Sequence, residues 1–296
     1  MKTFLSVLLI LSVLFGQSLW AQGTTDTDEV IRPVTASMSV AIGPTQVRNT
    51  YLTPLLYEGT SYSVEYQRWR LQPNLSWANW HQLQLSYADA FDRGEHGNMY
   101  AARLRYQYGS LRRIIPAQSP AWSFFVGPMA SADLGFDYNL KMSGGNNPAT
   151  ARVATNMGAV MAASYSFAPR GLHLPVMLQV SAPLIGAAMM PEYGASYYET
   201  FYLDHGGNYI HFTSLHNQQD IDARLSTDIP LALLPFMRHC GAIIRLGTSY
   251  HIETMDINHI NTRLSSFQFV VGWVYRYIPY DYRKSYLLKR QPYEAY

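Results

Sequence analysis

The sequence predicts an all-β protein, an antiparallel transmembrane β-barrel of 10–12 strands, and three observations predict this class. Only 14% of the 296 residues are charged, whereas water-soluble domains carry about a quarter. Many segments alternate between apolar and polar residues, as strands do when one face meets lipid and the other meets a polar lumen. After residue 21, no segment has the roughly 20 apolar residues that a membrane-spanning helix needs.

The first 21 residues have the features of a secretory signal peptide. A basic residue, Lys2, precedes an apolar run from Phe4 to Phe15. A small residue, Ala21, then stands before the first polar stretch. This order is typical of export signals. We therefore expect cleavage after Ala21 and location of the mature protein in the outer membrane.

The alternating segments predict ten strands, near residues 33–43, 60–71, 79–91, 98–110, 121–140, 150–168, 173–187, 220–233, 241–252 and 264–279. Residues 195–203 and 208–216 could add a hairpin and make twelve. Either number is even, so both chain ends are expected on the periplasmic side. We assign residues 22–280 to one barrel domain and residues 281–296 to a periplasmic tail.

Segment 98–110 shows the alternation most clearly. Its lipid-facing side would carry Leu104 between alternating tyrosines, and its opposite side would carry Arg103 and Arg105. In segment 60–71 the apolar residues change position and continue at Trp69 and Leu71, which we interpret as a β-bulge.

Charged residues inside strand-like segments predict a charged lumen. The cluster that we assign to it consists of Arg103, Arg105, Asp220, Asp222, Arg224 and Asp228. Rings of charge can make a pore selective, or opposed charges can neutralise one another and plug the barrel. Since barrel diameter grows with strand number, ten to twelve strands make a narrow lumen.

Two other kinds of site are weighed against this interpretation. Ser214, His216 and Asn217 could serve a lipid hydrolase as nucleophile, base and orienting residue, although no oxyanion donor can be named. The sets Asp204, His205, His211 and His251, Glu253, Asp256, His259 lack a diagnostic zinc spacing, so we predict no metal site. No nucleotide or phosphate motif occurs, and we predict no cofactor.

Two short motifs support a family resemblance. They are the run from Asn49 to Gly59, and the run from Ser214 to Gln219 ahead of a strand that ends Asp228-Ile229-Pro230. Both resemble an uncharacterised outer-membrane β-barrel family of the Bacteroidetes, a domain of unknown function. The resemblance implies a fold and an origin, and it implies no activity.

We therefore expect a non-enzymatic outer-membrane protein. It would be either a narrow, porin-like channel for small solutes or a structural, partner-binding barrel of the cell envelope. The alternatives are the lipid hydrolase and a soluble secreted β-sandwich. Expected partners are outer-membrane lipid and, for the partner-binding role, another envelope protein. The net charge of +2 gives no support to nucleic-acid binding.

Overall fold

The computed structural model describes residues 34–72, 76–94, 96–114, 122–140, 148–167, 174–190, 209–231 and 242–277. These residues form eleven antiparallel strands: β1 (Val34–Asn49), β2 (Thr53–Leu71), β3 (Trp77–Phe91), β4 (Asn98–Arg113), β5 (Trp122–Asn139), β6 (Ala149–Phe167), β7 (Leu174–Met189), β8 (Ile210–Ser214), β9 (Gln218–Pro230), β10 (Ile243–Ile257) and β11 (Ile260–Tyr277). Among the described residues, no helix is both long and apolar enough to cross a bilayer.

The strands form one closed barrel. Each strand from β1 to β7 pairs with the next, β9, β10 and β11 pair in turn, and β11 pairs with β1. Strands β8 and β9 follow one another along the same edge of β7. Together they occupy one strand position, or place, in the ring. The barrel therefore has ten places, which confirms the predicted barrel class, and the alternative of a β-sandwich with two sheets is wrong.

The expectation of an additional hairpin is corrected by β8. Residues 208–216 do contain a strand, but β8 extends the place of β9 and adds none of its own. Residues 195–203 lie outside the described residues. Val34 and Tyr277 are paired neighbours, so β1 begins and β11 finishes at one end of the barrel. We call this the terminal end, and we call the other the distal end.

The two faces of the wall differ in chemistry as the alternation predicts. On strands β1 to β6, one exposed apolar residue of each strand is paired with that of the next: Val40, Val64, Leu85, Leu104, Leu134 and Val153. The alternate positions point inward and bury polar side chains such as Gln82, Gln107 and Gln179. Apolar residues on the outside and polar residues on the inside reverse the pattern of a soluble protein and match a barrel in lipid.

Following the paired residues once around the ring shows a strong stagger. A path that leaves β7 at Met189 and passes through β6, β1 and β11 returns to β7 at Val176, near its other end. Such a stagger requires strands that are tilted to the barrel axis, because closure links tilt and shear.

The predicted bulge in β2 is wrong. The pairing of β2 with β1 and with β3 is continuous from Gln67 to Trp69. Gln67 and Trp69 are both buried on the inner face. The change in pattern therefore marks a change from a polar to an apolar lumen, and the strand keeps its phase.

Several strands are longer than the sequence suggests, and β2 begins at Thr53 where the prediction began at residue 60. Two of the extensions have a local cause. β1 continues through Gly43 and Pro44 to Asn49. These two residues have no pairing partner on β11, but both remain paired with β2. The strand can therefore include the exposed Pro44. β10 continues to Ile257 and joins β11 through Asn258 and His259. Both turn residues have positive φ values, 54° and 61°, as a two-residue type I′ hairpin turn requires.

Gly43 offers a test of ring closure. A methyl group added here would overlap the carbonyl oxygen of Phe267 on β11, so Gly43→Ala must push the first and last strands apart. We expect a loss of about 1–3 kcal/mol of stability, as for other overpacked sites. The measurement is the temperature at which the folded, SDS-resistant band disappears from a gel.

The matched control for this test is Gly94→Ala. The nearest atom to a methyl group at Gly94 is 3.7 Å away, so its melting temperature should stay close to that of the unchanged protein. Equal melting temperatures for the two variants would contradict the close approach of β1 and β11.

Candidate functional site

The lumen contains a network of buried ion pairs, and its distal group is centred on Arg105 of β4. Nη1 and Nη2 of Arg105 donate to Oδ1 and Oδ2 of Asp220 on β9, at 3.3 and 2.7 Å. Its Nε donates to Asp133 of β5. The side chains of Arg105 and Asp220 are 7% and 1% exposed. This bidentate contact therefore joins two walls of the barrel away from solvent.

Three further residues extend the distal group. Glu253 of β10 forms an ion pair with Arg152 of β6, which joins another two walls. Nε2 of His251 lies 2.9 Å from Nη1 of Arg105 and 3.2 Å from Oδ1 of Asp220. This nitrogen can accept from the guanidinium or donate to the carboxylate, according to which ring nitrogen carries the proton.

Arg103 also faces the lumen but pairs elsewhere. Its Nη1 lies 2.6 Å from Oδ1 of Asp137 on β5. The other oxygen of Asp137 accepts from Nδ2 of Asn49 at 2.8 Å. Asp137 therefore connects β4 to the end of β1.

The middle group crosses the lumen through Arg224 of β9. Its Nε and Nη2 donate to Asp222 at 2.7 and 3.1 Å. Its Nη1 forms an ion pair with Glu65 of β2, and its Nη2 donates to Oε1 of Gln84 on β3 at 3.2 Å. One guanidinium thus binds three strands.

The terminal group is centred on Arg245 of β10. Its Nε and Nη2 donate to Asp228 of β9 at 2.7 and 3.0 Å. Its Nη1 donates to Ser37 of β1 at 2.9 Å and to Gln67 of β2. Gln67 donates in turn to Gln179 of β7 at 2.9 Å. Polar contacts therefore cross the lumen at three levels.

The six sequence-predicted lumen residues all face the interior, and only four of them form ion pairs with one another. Arg105 binds Asp220, and Arg224 binds Asp222. Arg103 and Asp228 instead bind partners that sequence reasoning missed. The missed members of the network are Glu65, Asp133, Asp137, Arg152, Arg245, His251 and Glu253. Their inward position on alternating strands was a signal that could have identified them.

Apolar side chains close the lumen at both ends. At the terminal end, the buried cluster contains Trp69, Trp80, Leu111, Phe125 and Val160. At the distal end, one cluster contains Val47, Leu52, Tyr57 and Met99, and a second contains Met190, Met255, Ile257 and Ile260. Tyr51, in the turn between β1 and β2, packs against both distal clusters and so bridges the mouth.

Hydrogen bonds hold this turn in place. The backbone N–H of Tyr51 donates to Oδ1 of Asn49 at 3.1 Å. The N–H of Asn261, on β11, donates to Oγ1 of Thr50 at 2.7 Å. The run from Asn49 to Gly59, one of the two motifs behind the family resemblance, therefore begins with the residues that cap the lumen.

The space left between the side chains is small. One cavity, lined by residues that include Arg103, Arg105 and His251, has about 30 Å³ open to the centres of water molecules. A second, lined by residues that include Arg224 and Arg245, has about 20 Å³. A single water molecule needs about 10–15 Å³ by this measure, so each cavity holds no more than a few waters.

The Ser214, His216 and Asn217 set lies in and beside the turn between β8 and β9. Ser214 Oγ and His216 Nδ1 are 2.5 Å apart. Asn217, however, accepts from the Ser214 N–H at 2.8 Å and donates to the Phe212 carbonyl oxygen at 2.9 Å. Asn217 therefore holds the turn, and among the described residues none hydrogen-bonds the other ring nitrogen of His216 to orient it.

The described residues contain no group of three or more metal-ligating side chains placed to hold an ion. His251 and Glu253 belong to the charged network, while Asp256 is exposed and His259 lies in the turn after β10. Asp204 and His205 lie outside the described residues.

Solved structures share the barrel fold at low sequence identity. The transport unit of the autotransporter AIDA-I from Escherichia coli matches with a TM-score of 0.41 at 6% identity, over 91% of this chain and 98% of that chain. The outer membrane protease OmpT from Escherichia coli matches with a TM-score of 0.45 at 9% identity, over 86% and 99%. The COG4313 outer membrane channel from Pseudomonas putida matches with a TM-score of 0.34 at 9% identity, over 86% and 100%.

These likenesses concern the fold alone. A comparison with curated proteins finds no match. A protein-family model, however, matches residues 4–284 of the sequence. The chain therefore belongs to the family described as Protein of unknown function (DUF3316).

Proposed function

We propose that this protein is an outer-membrane barrel that is closed to solutes and that has a structural or partner-binding role in the cell envelope. The observation that carries this proposal is the filled lumen. Buried ion pairs cross it at two levels, hydrogen bonds from Arg245 and Gln67 cross it at a third, and apolar clusters close both ends. A conducting pore needs a continuous path of water, whereas the two cavities described above each have room for only a few waters.

The energetics of the network favour a permanently filled lumen. A buried charge that loses its partner costs several kcal/mol. Opening the lumen at Arg105 would leave Asp133 and Asp220 facing one another without the guanidinium that binds both. The channel role that the sequence also allowed is therefore the weaker proposal.

We place the barrel in the outer membrane, surrounded by lipid, after removal of residues 1–21 as a signal peptide. Residues 22–280 would form the barrel domain, and residues 281–296 would extend into the periplasm. An origin in the Bacteroidetes follows only from the sequence resemblance and stays a prediction.

A partner-binding role is supported by β8 at the distal end. Phe212 and Ile210 are 66% and 62% exposed, more than any other large apolar side chain among the described residues. Leu215, in the following turn, is also exposed. Exposed apolar patches mark contacts with membrane or with protein, and for β8 we propose contact with another envelope protein.

Conductance is the first test. The mature protein, refolded and inserted into a planar bilayer, should give no reproducible current steps, because the lumen lacks a water path. A triple variant, Tyr51→Ala, Arg224→Ala and Trp80→Ala, removes a filling side chain from the distal end, the middle group and the terminal end, and should give small steps. Regular steps from the unchanged protein would overturn the proposal of a closed barrel.

Stability is the second test. We expect Arg105→Met to lower the free energy of unfolding by about 3–5 kcal/mol, because two buried carboxylates lose their partner. The exposed outer-face Arg263→Met should change it by no more than about 0.5 kcal/mol. Adding Asp220→Asn to Arg105→Met should restore part of the loss, which a urea titration in detergent can measure. Equal effects of the two arginine variants would refute the network as a support of the barrel.

Photocrosslinking tests the partner site. A photoreactive amino acid in place of Phe212 should form a protein crosslink of one defined size in intact cells. The same group in place of Met38, an exposed residue of the lipid-facing wall, should form none. The same crosslinked band from both positions, or from neither, would count against a partner at β8.

A further inference from the structure

The outward-facing charges of the wall form two separate belts of different composition. Near the terminal end, within the described strands, they are three arginines: Arg68, Arg70 and Arg112. Near the distal end they are mixed in sign: Arg48, Glu58, Asp89, Asp256 and Arg263. No charged side chain points outward between the belts in these strands. The terminal belt thus has a charge of +3 with no acidic residue in it.

The three arginines lie on β2 and β4, on either side of β3. Arg68 and Arg70 are two residues apart on the same face of β2, opposite His81 and Asn79 of β3. Arg112 is paired with Trp77 of β3. Within the described part of the chain, none of the three arginines forms an ion pair.

His81, the residue paired with Arg68, contacts two tyrosines of β4. The His81 ring lies 4.9 Å from that of Tyr108, and its Nδ1 lies 2.8 Å from the hydroxyl oxygen of Tyr106. Nε of Arg68 is shielded from solvent and has no hydrogen-bond partner. Nε of Arg48 in the distal belt is shielded and without a partner in the same way, so what distinguishes the terminal belt is its unpaired positive charge.

The chemistry of the terminal belt indicates which kind of ligand it would attract. A guanidinium binds phosphate through two parallel hydrogen bonds. Tyrosine and tryptophan side chains beside it, such as Tyr108 and Trp77, are typical of the level of lipid head groups. Basic clusters at this level attract anionic lipid.

We propose that Arg68, Arg70 and Arg112 bind the head-group phosphate of an anionic glycerophospholipid in the leaflet around the terminal end. The inference rests on the proposed location of the barrel in a membrane and names its lipid partner there. Because β1 begins and β11 finishes at this end, the leaflet is the one on that side of the barrel. The distal belt carries both positive and negative charges, so it should not attract anionic lipid in the same way.

Native mass spectrometry of the folded protein in detergent micelles tests this inference. Phosphatidylglycerol and phosphatidylcholine with the same acyl chains are added in equal amounts. The unchanged protein should retain phosphatidylglycerol over phosphatidylcholine by about tenfold or more, since each arginine near a lipid surface adds to the attraction.

Matched variants locate the site. Arg70→Gln with Arg112→Gln should remove most of the preference, and adding Arg68→Gln should abolish it. The control, Arg48→Gln with Arg263→Gln, removes two outward arginines of the distal belt and should retain the preference. Equal loss in variant and control, or no preference in the unchanged protein, would overturn the inference. So would tighter retention of lipid A than phosphatidylglycerol through the same arginines.

The result can be separated from the proposed function. Each variant is also checked for its heat-modifiable folded band and for insertion into liposomes. A protein that inserts without preferring phosphatidylglycerol refutes only the lipid site, whereas a folded protein that fails to insert refutes the membrane location as well.

Discussion

The contact between Arg105 and Asp220 determines what kind of barrel this is. It joins β4 to β9 across the lumen, and the same guanidinium holds Asp133 of β5. Buried charges are tolerated only with partners, so these strands must stay at the separation that the ion pairs set. Ten strands make a lumen narrow enough for one arginine to span. A wider barrel would leave the same charges to water, and the interior would become a channel.

The distal mouth shows how a short turn can serve both the wall and the interior. Asn49 ends β1 and binds Asp137 of the network through its side chain. Two residues later, Tyr51 lies across the two apolar clusters of the mouth. The first residues of the sequence motif that begins at Asn49 thus help to close the lumen.

The class of fold could be predicted from the sequence because lipid outside and polar groups inside impose a period of two on each strand. The prediction failed where inward-facing residues change from polar to apolar, as at Trp69. An apolar residue on the inner face looks, in the sequence, like a bulge that exchanges the two faces of the strand. It also failed at Asn258 and His259, where a tight turn lacks the usual glycine, so that β10 was made too short and Glu253 was assigned to a loop. The partners within the network could not be predicted, because Arg103 meets Asp137 and Arg245 meets Asp228 only once strand register and barrel stagger are known.

Closure by β1 and β11 has a consequence for how the chain reaches its folded state. Strands that pair first are neighbours in sequence, but the ring is complete only when residues near 34 meet residues near 277. The ion pairs between β4 and β9, and between β2 and β9, also wait for distant parts of the chain. A half-assembled sheet would present open edges and unpaired charges to lipid, which are both costly. Assembly should therefore be strongly cooperative and slow, as for other folds dominated by contacts between distant residues.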